Sequence, residues 1–199
     1  MKNVLFIDNF DSFTYNLVDD FAKRDCRTTV YRADMALEEL LGVVDRLRPD
    51  WLVISPGPGN PRSAGVSMAA VDRLKGKVPI FGVCLGLQVI VECLGGTVGR
   101  APQPMHGKPS PVLHDAKGVF AGIETPMQAG RYHSLVATRV PDCLRVTAEC
   151  DGLVMAVEHR EYPMFAVQFH PESILTPAGG RIIENILAMD AMALPAEPA

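Results

Sequence analysis

The segment Gly82-Val83-Cys84-Leu85-Gly86 places a cysteine between two apolar runs. In this pattern a buried strand ends, the chain turns sharply at one residue and a helix begins, as in the elbow that presents a catalytic nucleophile. Glycines are required on both sides because a side chain there would meet crowded backbone. The free N–H groups and the dipole at a helix start favour thiolate over thiol. The sequence therefore predicts that Cys84 is an activated nucleophile.

A nucleophilic cysteine needs a base and a group that orients this base. His170-Pro171-Glu172 follows a strand-like run at 164–169, so this pair also stands at a strand end. Residues i and i+2 of extended chain face the same side, and Pro171 restricts the turn between them. We therefore expect His170 to be the base and Glu172 to hold its other ring nitrogen. Taken alone, His170 is equally well explained as a structural histidine at the sheet edge.

The loop 55–61, Ser-Pro-Gly-Pro-Gly-Asn-Pro, can form neither helix nor strand. Glycines interleaved with prolines make a rigid turn whose N–H groups stay open to a ligand, so the loop is a candidate oxyanion site. A tight surface turn explains the same residues. No Gly-Lys-Ser/Thr follows, which excludes a P-loop.

The elements that must position these residues alternate between strand and helix. Apolar runs predict strands at 4–7, 28–31, 51–54 and 78–81, and helical spacing predicts helices at 15–23, 37–47, 67–74 and immediately after Cys84. This order predicts an α/β fold with a doubly wound, mainly parallel sheet and helices on both faces. Ligands bind beyond the carboxyl ends of such strands, where both Cys84 and the loop 55–61 fall.

The second half of the chain has a different pattern. Short strand-like pieces follow one another at 108–113, 128–135, 144–148, 153–159 and 164–169, and a helix at 180–192 closes the fold. We expect antiparallel or mixed strands that complete the same domain, residues 1–194. The remaining residues, 195–199, are expected to form a disordered tail.

Composition excludes several classes of protein. The chain has 199 residues, 48% hydrophobic and 21% charged, with a net charge of −4, which suits one globular domain and argues against nucleic acid or membrane as a partner. Its five cysteines form no C-x-x-C pair, so neither a disulfide framework nor a zinc site is expected. The N-terminus does not read as a signal peptide, and we expect a cytoplasmic location.

Six segments, taken in order, resemble the motifs of class I (triad) glutamine amidotransferases. The likeness covers nearly the whole chain and is close to the glutaminase subunit (component II) of anthranilate synthase and to that of aminodeoxychorismate synthase. Each segment is weakly specific alone, but six in order are very specific. The segments are 8–17 (DNFDSFTYNL), 55–59 (SPGPG), 82–86 (GVCLG), 105–108 (MHGK), 131–135 (RYHSL) and 168–173 (QFHPES).

The resemblance implies a role for each candidate residue. Cys84 attacks the side-chain amide of L-glutamine, His170 protonates the departing ammonia, water hydrolyses the cysteinyl thioester and Glu172 orients His170. The backbone amides of Gly57 and Leu85 form the oxyanion hole. The residues implied to hold the α-amino and α-carboxyl groups of glutamine are Gly57, Pro58, Gly59, Gln88, Ser134 and Leu135.

The resemblance also implies a partner, because ammonia in this family passes to a synthase subunit that aminates chorismate. This partner is component I of either anthranilate synthase, which we favour, or aminodeoxychorismate synthase, or both. Segments 8–16 and 105–108 are expected to lie toward it. No metal or organic cofactor is implied in this chain, whereas the synthase partner uses magnesium.

Two positions depart from the family pattern. Leu87 stands where these two subfamilies usually carry histidine, which weakens the choice between them but leaves the role of Cys84. Ala166 replaces a common glycine and is read as a minor packing change. Two other classes of function stay open: a catalytically silent regulatory or docking subunit, and a free-standing thiol hydrolase of γ-glutamyl compounds.

Overall fold

A nine-stranded sheet runs through the molecule, which the computed structural model describes over residues 1–189. The strands in chain order are β1 (Asn3–Asp8), β2 (Arg27–Arg32), β3 (Trp51–Ile54), β4 (Ile80–Val83), β5 (Thr97–Arg100), β6 (Lys108–His114), β7 (Met127–Arg131), β8 (Leu135–Arg139), β9 (Leu144–Cys150), β10 (Leu153–His159) and β11 (Met164–Val167). The helices are α1 (Thr14–Ala22), α2 (Leu37–Leu47), α3 (Ser67–Leu74), α4 (Leu85–Cys93) and α5 (Gly179–Ala188).

One half of the sheet is parallel, in the order β2-β1-β3-β4-β11. Side chains of a strand alternate between its two faces, so Val4 and Phe6 pack with α1 and α5, whereas Leu5 and Ile7 pack with α2, α3 and α4. Trp51–Ile54 is buried throughout, as expected for a strand covered by helices on both faces. The predicted doubly wound α/β architecture is confirmed.

The antiparallel strands extend the same sheet in the order β10-β9-β6-β7. Strand β11 lies between the two halves, since it pairs in parallel with β4 on one side and in antiparallel with β10 on the other. The C-terminal half therefore completes the sheet that the N-terminal half begins, as the sequence predicted.

The structure corrects the predicted strand at 128–135. This segment forms two strands, β7 and β8, and β8 leaves the large sheet to pair with β5 in a two-stranded ribbon. The chain bends at residues 132–134, where the ring of His133 takes hydrogen bonds that a continuous strand would not make. Strand β5 itself was not predicted, because it is short, only partly buried and contains Gly99.

The C-terminal helix α5 ends at Ala188, which is before the end of the predicted helix 180–192. Residues 190–192 of that prediction lie outside the described residues. The predicted tail 195–199 lies outside the described residues. Over residues 1–189, none of the helices has the length and apolar character that crossing a bilayer requires.

Candidate active site

The elbow at Cys84 is a strained turn. Cys84 has φ 53° and ψ −99°, a backbone conformation that costs a non-glycine residue about 1–3 kcal/mol and that persists where the surroundings enforce it. A side chain on Gly82 would approach the carbonyl carbon and oxygen of Gly86 to 2.7 Å, and one on Gly86 would meet the carbonyl of Ile54. Both glycines are therefore required by the packing of α4 on the sheet, as predicted.

The sheet brings Cys84 next to the segment that carries His170. Val83 and Val167 are directly paired on β4 and β11, and the N–H of Cys84 donates to the carbonyl of Val167 at 2.8 Å. The two strands therefore end side by side, with Cys84 after one and Gln168 after the other.

The side chains of His170 and Glu172 form a close pair in the interior. His170 Nδ1 lies 2.7 Å from Glu172 Oε1, and the two side chains are 2% and 0% exposed. The backbone of His170 is fixed as well, because its N–H donates to the carbonyl of Gly130 at 3.1 Å and its carbonyl accepts from Thr176 Oγ1 at 2.6 Å. With Nδ1 engaged by Glu172, the ring has only Nε2 for a reaction.

The charged form of His170 is favoured. Burial of the ring lowers its pKa, but the neighbouring side chains of Cys84 and Glu172 outweigh burial and raise the pKa of His170 to about 10. The Nε2 atom of His170 is buried and makes no hydrogen bond within residues 1–189. Cys84 is thus near enough to influence the ring without forming a hydrogen bond of good geometry, which can tighten when a substrate binds.

The loop 55–61 lies against the start of α4. A side chain on Gly57 would come within 2.7 Å of Leu85 Cδ2 and 2.5 Å of Asn9 Cβ, so only glycine fits between them. Gly57 and Leu85, the two candidate oxyanion-hole residues, are therefore neighbours. Within residues 1–189 neither backbone N–H donates a hydrogen bond, which leaves both free for an oxyanion.

A buried network that the sequence analysis did not single out fixes this loop. The N–H of Asn9 donates to Ser55 Oγ at 2.9 Å, and Asn9 Nδ2 donates to the carbonyl of Ser55 at 3.0 Å. Ser67 Oγ in turn donates to Asn9 Oδ1 at 2.8 Å. Asn9 follows β1 and Ser55 follows β3, so the loop is tied to the same sheet edge as Cys84.

The candidate glutamine-binding residues differ in their surroundings. Gln88 is buried, and its Nε2 donates to the carbonyl of Leu135 at 3.1 Å and to Gln168 Oε1 at 3.3 Å. Pro58, Gly59 and Ser134 are exposed, whereas Leu135 is half-buried. The carbonyl of Leu135 is therefore already engaged, and it acts on the site by fixing the amide of Gln88.

His133, which the sequence analysis did not assign to the site, supports this arrangement. Arg131 Nε can only donate, so the ring nitrogen Nε2 of His133 accepts from it at 3.1 Å and the proton of the neutral ring sits on Nδ1. Nδ1 then donates to the carbonyl of Leu135 at 3.1 Å. Burial, followed by the charge of Arg131, lowers the pKa of His133 to about 4, so the ring is neutral at physiological pH.

Two aromatic rings cover His170. Phe13 and Tyr132 meet its ring edge to face, with centroids 5.4 and 5.0 Å away, and they contact each other at 5.2 Å. The Tyr132 hydroxyl lies 3.1 Å from Ser173 Oγ, beside the exposed Ile174. These rings shield the ring of His170 from water.

Other reactive groups are sparse in the described part of the chain. All five cysteines are free thiols, and residues 1–189 contain no group of three His, Cys, Asp or Glu side chains placed to hold a metal ion. Leu87, at the position of the subfamily histidine, is a residue of α4 and is fully buried in the core. Its side chain therefore packs rather than reacts.

Cys84 thus lies at a strained strand-to-helix turn, and the buried His170–Glu172 pair follows the end of the adjacent strand β11. The family model for class-I glutamine amidotransferases matches residues 5–189, and the chain belongs to this family. The predicted resemblance is thereby confirmed.

Individual relatives agree with this assignment. Anthranilate synthase component 2 of Haloferax volcanii is 48% identical over 197 residues, which cover 94% of this chain and 96% of the relative. The protein of the same name from Haemophilus influenzae is 46% identical, covering 93% and 96%. A crystal structure of a Thermoplasma acidophilum protein, provisionally named as part of a GMP synthase, superposes with a TM-score of 0.83 at 25% identity, covering 94% and 92%.

Proposed function

We propose that this chain is the glutaminase subunit that hydrolyses L-glutamine and delivers ammonia to a synthase for the amination of chorismate to anthranilate. One observation carries the chemistry: the His170–Glu172 pair, joined at 2.7 Å, lies at the strand end beside Cys84. The pathway is supported by relatives named anthranilate synthase component 2, whose lengths this chain matches almost completely.

In the proposed reaction the Cys84 sulfur attacks the carboxamide carbon of glutamine. The negative charge that develops on the amide oxygen is stabilised by the free N–H groups of Gly57 and Leu85. The C–N bond then breaks as His170 Nε2 gives its proton to the nitrogen, and ammonia leaves behind a γ-glutamyl thioester. Water attacks the thioester, His170 takes up the proton, and the C–S bond breaks to release glutamate and restore the thiolate.

Glu172 has a distinct part in this sequence. Its carboxylate engages Nδ1 of His170, so it keeps the ring oriented with Nε2 toward the reacting atoms and stabilises the imidazolium that forms. Since both side chains are buried, this interaction is only weakly screened by solvent.

Glutamine is proposed to bind between the loop 57–59, Gln88 and residues 134–135. Gly59 and Ser134 are exposed residues, accessible to the α-amino and α-carboxyl groups of glutamine. The Gln88 amide faces the site with its nitrogen engaged by Leu135 and Gln168, which directs its oxygen to a substrate donor.

The synthase partner is proposed to dock on apolar side chains around the site. Phe10, Tyr15 and Ile174 are 48%, 66% and 94% exposed. Phe10 and Tyr15 stand within three residues of Phe13, and Ile174 follows Ser173, whose hydroxyl lies 3.1 Å from that of Tyr132. Large apolar side chains clustered at the surface indicate an interface. Segment 105–108 is proposed to lie toward the same partner. The cytoplasmic location, the magnesium of the partner and the absence of a cofactor from this chain stay predictions.

The test is reconstitution of the purified chain with component I of anthranilate synthase and, separately, with component I of aminodeoxychorismate synthase. We expect glutamine hydrolysis to be slow in the chain alone and to rise with the first partner, with anthranilate as the product from chorismate. Cys84→Ser should abolish the glutamine-dependent product and leave the ammonia-dependent product intact. A product formed only with the second partner would reassign the pathway, and glutaminase activity indifferent to either partner would indicate a free-standing hydrolase. No hydrolysis in any combination would indicate a silent docking protein.

A further inference from the structure

Gln168 touches the Cys84 sulfur but has no part in the reaction described so far. Its Nε2 lies 3.6 Å from Cys84 Sγ in donor geometry, and the residue is fully buried. Gln168 follows β11 by one residue as Cys84 follows β4, and the adjacent strands are paired at Val83 and Val167. The contact is therefore fixed by the sheet.

The orientation of the Gln168 amide follows from an unambiguous acceptor. The carbonyl of Leu135 can only accept, so the group of Gln88 that faces it at 3.1 Å is its nitrogen. The same nitrogen lies 3.3 Å from the Gln168 side chain, which must therefore present its oxygen to Gln88. The Gln168 nitrogen is then the atom that points at the sulfur.

We propose that Gln168 is a further catalytic residue, which donates a hydrogen bond to the Cys84 sulfur and stabilises it as a thiolate, and that Gln88 is the positioning residue for its amide. A hydrogen bond to a charged acceptor favours the charged form, and its effect is larger in a buried site. The catalytic meaning of this inference rests on the proposed function. The hydrogen bond itself does not.

The ionisable groups around the sulfur are few among the described residues. His170, with Glu172 behind it, approaches from the segment after β11, and neutral His133 lies beyond the Leu135 carbonyl. Gln168 adds an uncharged donor whose strength does not change with pH. Removing it should therefore displace the pH profile of thiol reactivity toward alkaline pH.

The experiment measures alkylation of Cys84 by iodoacetamide in the full chain alone, without glutamine or synthase, from mildly acid to alkaline pH. Peptide mass spectrometry reads Cys84 separately from the other four cysteines. The variants are Gln168→Leu, Gln168→Glu and Gln88→Met, with Gln128→Leu on the exposed side of β7 as the matched control. Far-UV circular dichroism checks that each variant folds.

We expect Gln168→Leu to slow alkylation about tenfold at pH values below the midpoint of the wild-type profile, the effect of losing one hydrogen bond to a charged group, while the limiting rate at high pH stays within about twofold. Gln168→Glu should slow it further, because a carboxylate replaces the donor. Gln88→Met should give a smaller change in the same direction, about threefold, and Gln128→Leu none.

A folded Gln168→Leu variant with the unaltered pH profile would overturn the inference. If that variant does not fold, an unaltered profile in Gln88→Met would overturn it equally. The proposed function fails separately: a displaced profile in a chain that never hydrolyses glutamine with any synthase would refute the function and leave the hydrogen bond.

Discussion

Val83 on β4 and Val167 on β11 are paired directly in a parallel ladder, although 84 positions separate them in sequence. Both strands end at this pair, and the chain continues from them into the site, one with Cys84 and the other with Gln168 and then His170. Parallel strands place such residues at one sheet edge, where α/β proteins bind ligands. A single strand contact therefore brings the thiol and the imidazole together.

Replacing the base should separate catalysis from binding. His170→Asn removes the ring nitrogen Nε2, so we expect kcat for partner-activated glutamine hydrolysis to fall about 10²- to 10⁴-fold, with KM for glutamine changed by only a few-fold. Rapid-quench measurement of thioester formation checks this. His114→Asn, on β6 and away from the site, is the control. A variant that keeps half of the wild-type kcat would remove His170 from the mechanism.

The neutral state of His133 should make stability depend on pH. Its pKa is lowered to about 4 in the folded chain, so between pH 4 and the unfolded value of 6.5 the unfolded chain binds more protons. The contribution is fully present above pH 6.5 and is lost as pH falls through 4, and it amounts to at most about 3 kcal/mol.

Urea unfolding across this pH range checks the prediction. His133→Asn keeps a donor near the position of Nδ1 but does not titrate, so its free energy of unfolding should fall less steeply toward acid pH. The exposed His106→Asn should keep the wild-type slope. Equal slopes in the wild type and His133→Asn would show that the ring is not held neutral.

The fit of Gly57 against Leu85 predicts a strong effect from one methyl group. Gly57→Ala would press on Leu85 and Asn9, so we expect a loss of about 1–3 kcal/mol in stability and about 10²- to 10³-fold in kcat as the oxyanion donor is displaced. Gly42→Ala in the middle of α2 is the control, since nothing lies near its added methyl, and it should stabilise the chain by about 0.5–1 kcal/mol. A Gly57→Ala variant with wild-type kcat would exclude the Gly57 N–H as a catalytic donor.

Much of the fold could be predicted from local sequence patterns. Trp51–Ile54 forms the predicted strand, because a continuous apolar run is a strong signal for a strand buried on both faces. Ser67–Leu74 forms the predicted helix, because helical spacing of apolar residues is a strong signal where one face of the helix is buried. The bend at residues 132–134 escaped prediction because the partners of His133, Arg131 and the carbonyl of Leu135, compete with strand pairing only once the fold brings them together.

Some residues of the candidate site could be predicted from the sequence and others could not. Cys84, His170 and Glu172 could be named from the sequence because their types and strand-end positions specify the chemistry. Gln168 stands in the same motif as His170, but its contact with the sulfur depends on the pairing of β4 with β11, which no local pattern encodes. The role of Asn9 in fixing the loop 55–61 could not be predicted for the same reason, since its partners Ser55 and Ser67 lie far along the chain.

The most direct test of the account is to trap the covalent intermediate. The chain, activated by its synthase partner, is mixed with isotope-labelled glutamine, quenched in acid, digested and analysed by mass spectrometry. We predict a labelled γ-glutamyl group on Cys84 of the wild type and none at this position in Cys84→Ser. Label on another residue, or glutamine hydrolysis by Cys84→Ser at the wild-type rate, would contradict the account.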